Sequence, residues 1–216
     1  MDYVGMIFDL LKGLGISAGL FFLTLLFALP LGLAIAFGRM SKHPVIGQIF
    51  RLYISIMRGT PLMLQLLFIY FGPYYIFRIS LAGYSPFVGA VVAFALNYAA
   101  YFAEIYRAGI ESIDRGQYEA AESLGLAKSL TFSYIIFPQV MKRILPPATN
   151  EVITLVKDTS LAFTLSVMEM FTVAKMAAAA HTTMVPLIAA GVFYYIFNYL
   201  VAWAMESLEQ RFSYYN

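Results

Sequence analysis

Several polar and ionisable side chains stand in stretches that are otherwise strongly apolar. Glu151, Thr154 and Asp158 are spaced i, i+3, i+7, which puts them on one stripe of a helix. Asn150, Thr154, Lys157, Leu161 and Thr164 form the adjacent stripe, and Asn97, Tyr101 and Glu104 form another, with Arg107 one turn past Glu104. An ionisable group inside a membrane segment costs about 2.5–3.5 kcal/mol on insertion scales, so these groups should face a bundle interior and pair there. The chemistry open to them is to solvate and bind a polar solute. No nucleophile stands with a base, no His/Asp/Glu cluster has metal-ligand spacing, and no basic-aromatic patch suits nucleic acid. Neither catalytic residues nor a metal site are therefore expected. Each stripe also has a plainer reading. Glu104 and Arg107 suit a local i,i+3 ion pair, and Lys157 and Asp158 suit a structural pairing with other helices or across a dimer seam. Glu151 can hydrogen-bond backbone at a helix entry, and Asn97 and Tyr98 can bond between helices.

The elements that carry these groups follow from composition. Of 216 residues, 61% are hydrophobic and 12% charged, against about 45–50% and about 25% in soluble domains. The bilayer is the solvent of this chain. It has no cysteine, hence no disulfide, thiolate metal site or thiol redox chemistry. Met1-Asp2-Tyr3-Val4 lacks the basic start of a secretory signal, so the first apolar span is expected in the mature protein.

A span needs about 20 apolar residues. Five are expected: Gly13 to Gly38, Leu62 to Phe77, Phe87 to about Tyr106, Ala148 to Phe171, and Met184 to Met205. Pro30 is tolerable inside the first. Gly15 and Gly19 there have GxxxG spacing, which allows close helix contact or simply faces lipid. Val45 to Met57, carrying Arg51, reads as an interfacial segment ended by Arg58-Gly59-Thr60-Pro61. Pro146-Pro147 marks the entry to the fourth span, Ala174 to His181 reads as a small-residue linker, and Glu206 to Asn216 as a polar tail. Trp203 reads as an interfacial anchor.

Arg39, Lys42 and Arg51 follow the first span, and Arg107, Arg115, Lys128, Lys142 and Arg143 follow the third. The opposite side receives Lys12, Arg78 and Lys175. Lys/Arg excess marks the cytoplasm, so the N-terminus is expected outside and the C-terminus inside.

Between spans three and four lies the least apolar stretch. Asp114 suits an N-cap with Gln117 at capping-box spacing, and Gly125 suits a left-handed C-cap. The expected product is an exposed, charged, alanine-rich helix of about three turns. It reads either as a solvated loop helix or as a docking knob for a soluble partner.

The spacing Glu119-Ala120-Ala121, Gly125, Ile135, Phe137-Pro138 resembles the EAA loop of ABC-importer permeases. Phe137 departs from the leucine usual there. Arg58-Gly59-Thr60-Pro61, Ala103 to Ile110 and Lys157-Asp158-Thr159-Ser160-Leu161 resemble the polar amino-acid uptake branch, in its basic, arginine-like part. The likeness runs from about Leu11 to Arg211.

The resemblance implies one ABC transmembrane domain over 1–216, an all-α membrane protein of the type I importer fold. It would be a multi-pass protein of the bacterial inner membrane, with 114–138 as its cytoplasmic coupling loop. It implies ATPase coupling through Glu119, Ala120, Ala121, Gly125 and Pro138. It implies substrate contacts at Asn97, Tyr98, Glu104, Glu151, Asp158, Thr159 and Ser160. The implied partners are cytoplasmic ATPase subunits, an extracytoplasmic amino-acid binding protein and a second permease subunit, identical or related. The chain has no GxxxxGK[ST] loop, so ATP and Mg are expected on the ATPase and no cofactor on this chain. Acidic residues in the spans favour arginine, histidine or lysine as substrate. An ion-coupled transporter or channel, or a non-transporting scaffold, are the rival classes.

Overall fold

The computed structural model describes residues 3–79 and 83–212. Met1, Asp2 and Ser213 to Asn216, the end of the expected polar tail, lie outside the described residues. Helices account for the architecture, in the order α1 (Tyr3–Arg39), α2 (Pro44–Gly59), α3 (Leu62–Phe77), α4 (Pro86–Glu111), α5 (Arg115–Ser123) and α6 (Lys128–Leu130). A π turn (Thr131–Ile136) leads into α7 (Phe137–Asp158), then a 3-10 segment (Thr159–Leu165), α8 (Met170–His181) and α9 (Val185–Phe212). Among the described residues, three helices, α1, α4 and α9, are long and apolar enough to cross a membrane. Two bent pairs, α2 with α3 at 113° and Lys128–Leu165 with α8 at 59°, raise that to five if each counts as one span.

The middle of the bundle is α4, whose Ala90, Ala93, Phe94, Ala99, Ala100, Phe102 and Ala103 are fully buried. Small residues let α1 lie directly against it. A Cβ on Gly32 would come within 2.9 Å of Phe102 Cβ and 3.0 Å of the Ala99 carbonyl oxygen. Close packing of this kind, rather than hydrophobic exclusion, is what holds helices together in lipid. Gly15 and Gly19 do not supply it. Gly15 faces open space and Gly19 meets only Phe87 at 3.7 Å, whereas Gly13 is pressed against the backbone of Met170.

Two boundaries differ from the sequence expectation. The first helix starts ten residues early, because Asp9 and Lys12 pair at 3.2 Å on its exposed face instead of ending it. The fourth span is longer and broken elsewhere. Pro146-Pro147 lie inside α7, and the break falls at Ser166 (φ 59°). Prolines withhold two ladder donors there, but packing against neighbouring helices keeps a membrane helix continuous through such a gap.

The residues expected to link spans four and five form α8. Its N-cap is Glu169, fully buried, which accepts from the Phe171 and Thr172 amides at 2.6 and 2.7 Å. It also accepts from the Thr172 hydroxyl at 2.8 Å and the Tyr194 hydroxyl of α9 at 3.0 Å. One carboxylate thus satisfies the orphan amides of a helix start and ties α8 to α9.

Candidate functional site

Two features of the sequence meet at α4 and α7. The first is the polar stripe. Residues Arg58 (α2), Tyr101, Glu104 and Ala108 (α4) and Arg143, Pro147 and Glu151 (α7) line a cleft of about 330 Å3. Glu104 is paired with Arg107, the Arg107 Nε donating at 3.1 Å, and Arg107 also reaches Glu111. The local i,i+3 pairing is therefore present. Arg143 donates to the Ser112 carbonyl oxygen. The Arg58 guanidinium carbon lies over the Tyr101 ring, 5.3 Å from its centre. Among the described residues, neither Arg58 nor Glu151 has an ion-pair partner, and Glu151 accepts no hydrogen bond. The cleft thus holds one cation and one anion that face each other across it without a contact salt bridge.

Two turns beyond Glu151 on α7, Asp158 accepts a 2.7 Å hydrogen bond from Tyr98. Thr159 and Ser160 turn their hydroxyls back onto the carbonyls of Val156 and Lys157, both at 2.8 Å. This is the local bonding that hydroxyls adopt in helical turns. Ser160 remains partly open, whereas Thr159 is fully buried.

Asn97 is 3% exposed and does not line the cleft. Its amide nitrogen donates to the Met57 carbonyl at 3.1 Å and to Gln65 Oε1 at 2.8 Å. Gln65 Nε2 shares its protons among the carbonyls of Met57 (2.9 Å) and Thr60 (3.1 Å) and the Thr60 hydroxyl (2.7 Å). The reason is legible in the chain. Pro61 has no N–H, so Met57 loses its i+4 donor, and two amide side chains replace it. Gln65 was not singled out in the sequence, although a lone glutamine in an apolar span is itself a signal of such a bond.

The second feature is the short helix α5. Asp114 caps it, accepting from the Gly116 amide at 2.6 Å. Gln117 does not close a capping box; its side-chain oxygen instead accepts from Gln139 of α7 at 3.2 Å. Gly125 ends the turn at φ +71°, and Leu126 N–H reaches back to the Ala121 carbonyl at 3.0 Å, a Schellman-type closure. Ala121 is buried, while Glu119 and Ala120 are exposed and Leu124 is 77% exposed.

The chain then re-enters the bundle through the π turn. Pro138 cannot donate, and the Phe137 amide bonds to Phe132, five residues back. Ile113, Ile136, Val140 and Ile144 form a separate apolar cluster that seats this segment on α4 and α7. Gly109 admits the Ile144 side chain, since a Cβ there would lie 2.1 Å from Ile144 Cγ2. The exposed helix and the polar cleft are thus joined by one rigid, tightly packed crossing.

The family model described as "Binding-protein-dependent transport system inner membrane component" matches residues 28–214. The chain belongs to this family. The permease is 39% identical over 193 residues to the L-cystine transport system permease protein TcyL of Bacillus subtilis (strain 168), covering 88% of this chain and 81% of that one. It is 33% identical to the putative glutamine transport system permease protein GlnP of Rickettsia conorii, over 95% and 93% of the two chains. A solved structure titled "Crystal structure of an amino acid ABC transporter with histidines" superposes with TM-score 0.85 at 32% identity, over 98% of this chain and 99% of that one. A chain of the MetNI methionine ABC transporter superposes with TM-score 0.72 at 16% identity, covering 99% and 100%, a likeness of fold. The permease is therefore a multi-pass inner-membrane transport subunit with the type I importer fold.

Proposed function

We propose that the permease forms the translocation path of an ATP-driven importer of polar, basic amino acids. The observation that carries this reading is the Glu151 carboxylate, held on the wall of a polar cleft shared with Arg58 but, among the described residues, in no salt bridge and accepting no hydrogen bond. A carboxylate without a salt bridge inside a membrane bundle is costly, and a cationic solute supplies one. Asp158, bonded by Tyr98, continues the acidic wall further along α7. Glu104 shares the cleft wall, and the partly open Ser160 lies beyond Asp158, whereas Thr159 is buried and contributes structure only. Relatives named for cystine and glutamine, and a solved neighbour titled for an amino acid ABC transporter, support the amino-acid class. The acidic wall is the argument for a basic side chain.

In this reading the whole chain is one transmembrane domain, with 114–138 on the cytoplasmic side, the N-terminus outside and the C-terminus inside. Glu119, Ala120, Ala121, Gly125 and Pro138 present and set the helix that a separate ATPase subunit receives, and ATP and Mg reside on that ATPase. An extracytoplasmic binding protein delivers the substrate, and a second permease subunit closes the path. ATP binding moves the helix α5. The packed crossing at Gly109 and Ile144 passes that motion to α4 and α7, biasing a two-state bundle between outward and inward access.

The test is uptake of labelled L-arginine into proteoliposomes holding the permease, its ATPase and its binding protein. ATP-dependent accumulation is expected. Accumulation that persists without the ATPase indicates an ion-coupled transporter, and no uptake of any amino acid indicates a scaffold.

A further inference from the structure

We infer that Arg58 is the receptor for the substrate α-carboxylate, and that Gln65 and Asn97 are positioning residues that aim it. This rests on the amino-acid reading above and adds which protein group recognises the feature common to all amino acids. An α-amino acid carries a carboxylate whatever its side chain. Among the cations on the cleft, Arg143 is engaged with the Ser112 carbonyl, whereas Arg58 feels Glu151 and Glu104 at longer range but makes no salt bridge among the described residues. Arg107, close by, is taken up by Glu104 and Glu111. A cation–π contact with Tyr101, 5.3 Å from the ring centre, steadies the guanidinium without using any of its N–H groups in a hydrogen bond. A guanidinium edge matches a carboxylate with two parallel hydrogen bonds.

Arg58 sits at the end of α2, where an unsupported chain would sample many directions. Both of its flanks are pinned. Gln65 and Asn97 hold the carbonyl of Met57 on one side, and Gln65 holds the carbonyl and hydroxyl of Thr60 on the other. The Thr60 hydroxyl donates in turn to the Ile56 carbonyl at 2.8 Å. These bonds fix the 113° corner between α2 and α3 and so the exit direction of the Arg58 side chain. Asn97, buried behind the cleft, thus acts on the substrate through Arg58.

The experiment is equilibrium binding to the permease–ATPase complex in nanodiscs, without the binding protein, which would impose its own selectivity. L-Arginine, L-histidine and L-glutamine are screened, and whichever binds is compared with its decarboxylated amine, such as agmatine or histamine. Arg58→Gln should weaken the amino acid about ten- to a hundredfold, the scale of one lost charge-assisted pair, and leave the amine unchanged or tighter, since a repelling cation is removed. Arg58→Lys keeps the charge but loses the fork, and should weaken the amino acid several-fold with the amine again unchanged. Asn97→Ala should shift the ratio in the same direction. Equal losses for amino acid and amine in the Arg58 variants, or undiminished amino-acid affinity, overturn the assignment. If the wild-type complex binds none of the amino acids, the cleft reading itself fails and the assignment falls with it.

Discussion

Replacing Asn97 by alanine separates a structural clamp from a substrate contact. The side chain donates two hydrogen bonds at a position only 3% exposed. Met57 keeps a second donor in Gln65 at 2.9 Å, so that end loses only the typical value of an interhelical bond in membranes, about 0.6 kcal/mol. At the other end Gln65 Oε1, in a residue 8% exposed, loses the one donor it has. A buried acceptor left unpaired costs about 1–3 kcal/mol. The expected destabilisation is thus about 1.6–3.6 kcal/mol, or a fall in melting temperature of about 3–14 °C for a chain of this size. Thermal unfolding of the purified permease in nanodiscs reads it. Replacing both partners, Asn97→Leu with Gln65→Met, should destabilise further, because the Met57 carbonyl then loses both of its side-chain donors. The excess over Asn97→Ala reports the Gln65 bonds to Met57 and Thr60, since Pro61 offers no N–H in their place. An Asn97→Ala protein with wild-type melting and weakened binding of amino acid and amine alike would refute the clamp and place Asn97 in direct contact with substrate.

Other outcomes follow from the same geometry. Gly109→Val should disrupt the crossing of α4 and α7, because its Cβ would overlap Ile144 at 2.1 Å; overpacking costs about 1–3 kcal/mol, and the check is ATPase stimulation by substrate in the assembled complex, which should fall. Glu119→Lys and Gly125→Val should weaken recovery of the ATPase on co-purification. The first reverses an exposed charge on α5, and the second forces a β-branched residue to φ +71°. Glu151→Gln should weaken binding of a cationic amino acid about tenfold, the loss of one charge interaction of about 1.4 kcal/mol, while a neutral amino acid of similar size is unaffected.

The parts of this fold written most plainly in the sequence are those set by local chemistry. The bounds Leu62 and Phe77 of α3, the Asp114 cap, the left-handed Gly125 and the pairing of Glu104 with Arg107 each depend on residues a few positions apart. What the sequence concealed depends on distant partners. Pro146-Pro147 looks like a helix entry, yet the bundle carries the helix through it. Glu169 is a poor N-cap by residue type, and its role needs Tyr194 from another helix. Gln65 and Asn97 meet because Pro61 leaves a carbonyl for them to satisfy, a link between α3 and α4 that no single window of sequence contains. For the cleft, Glu151 was legible as part of a polar stripe, whereas Thr154 and Asp158 of that stripe do not line it and the place of Arg58 required knowing how α2 turns.

The most direct test of substrate passage uses the absence of cysteine from the chain. A single cysteine replaces Ala108, an exposed residue on the wall of the cleft, and a second variant carries cysteine at Val192, exposed on α9. Both are treated in the assembled transporter with a charged, water-soluble thiol reagent, with and without saturating amino acid. Ala108→Cys should react and be slowed several-fold by the amino acid, while Val192→Cys stays unreactive. Labelling of Ala108→Cys at the same rate with and without transported substrate would contradict passage through this cleft.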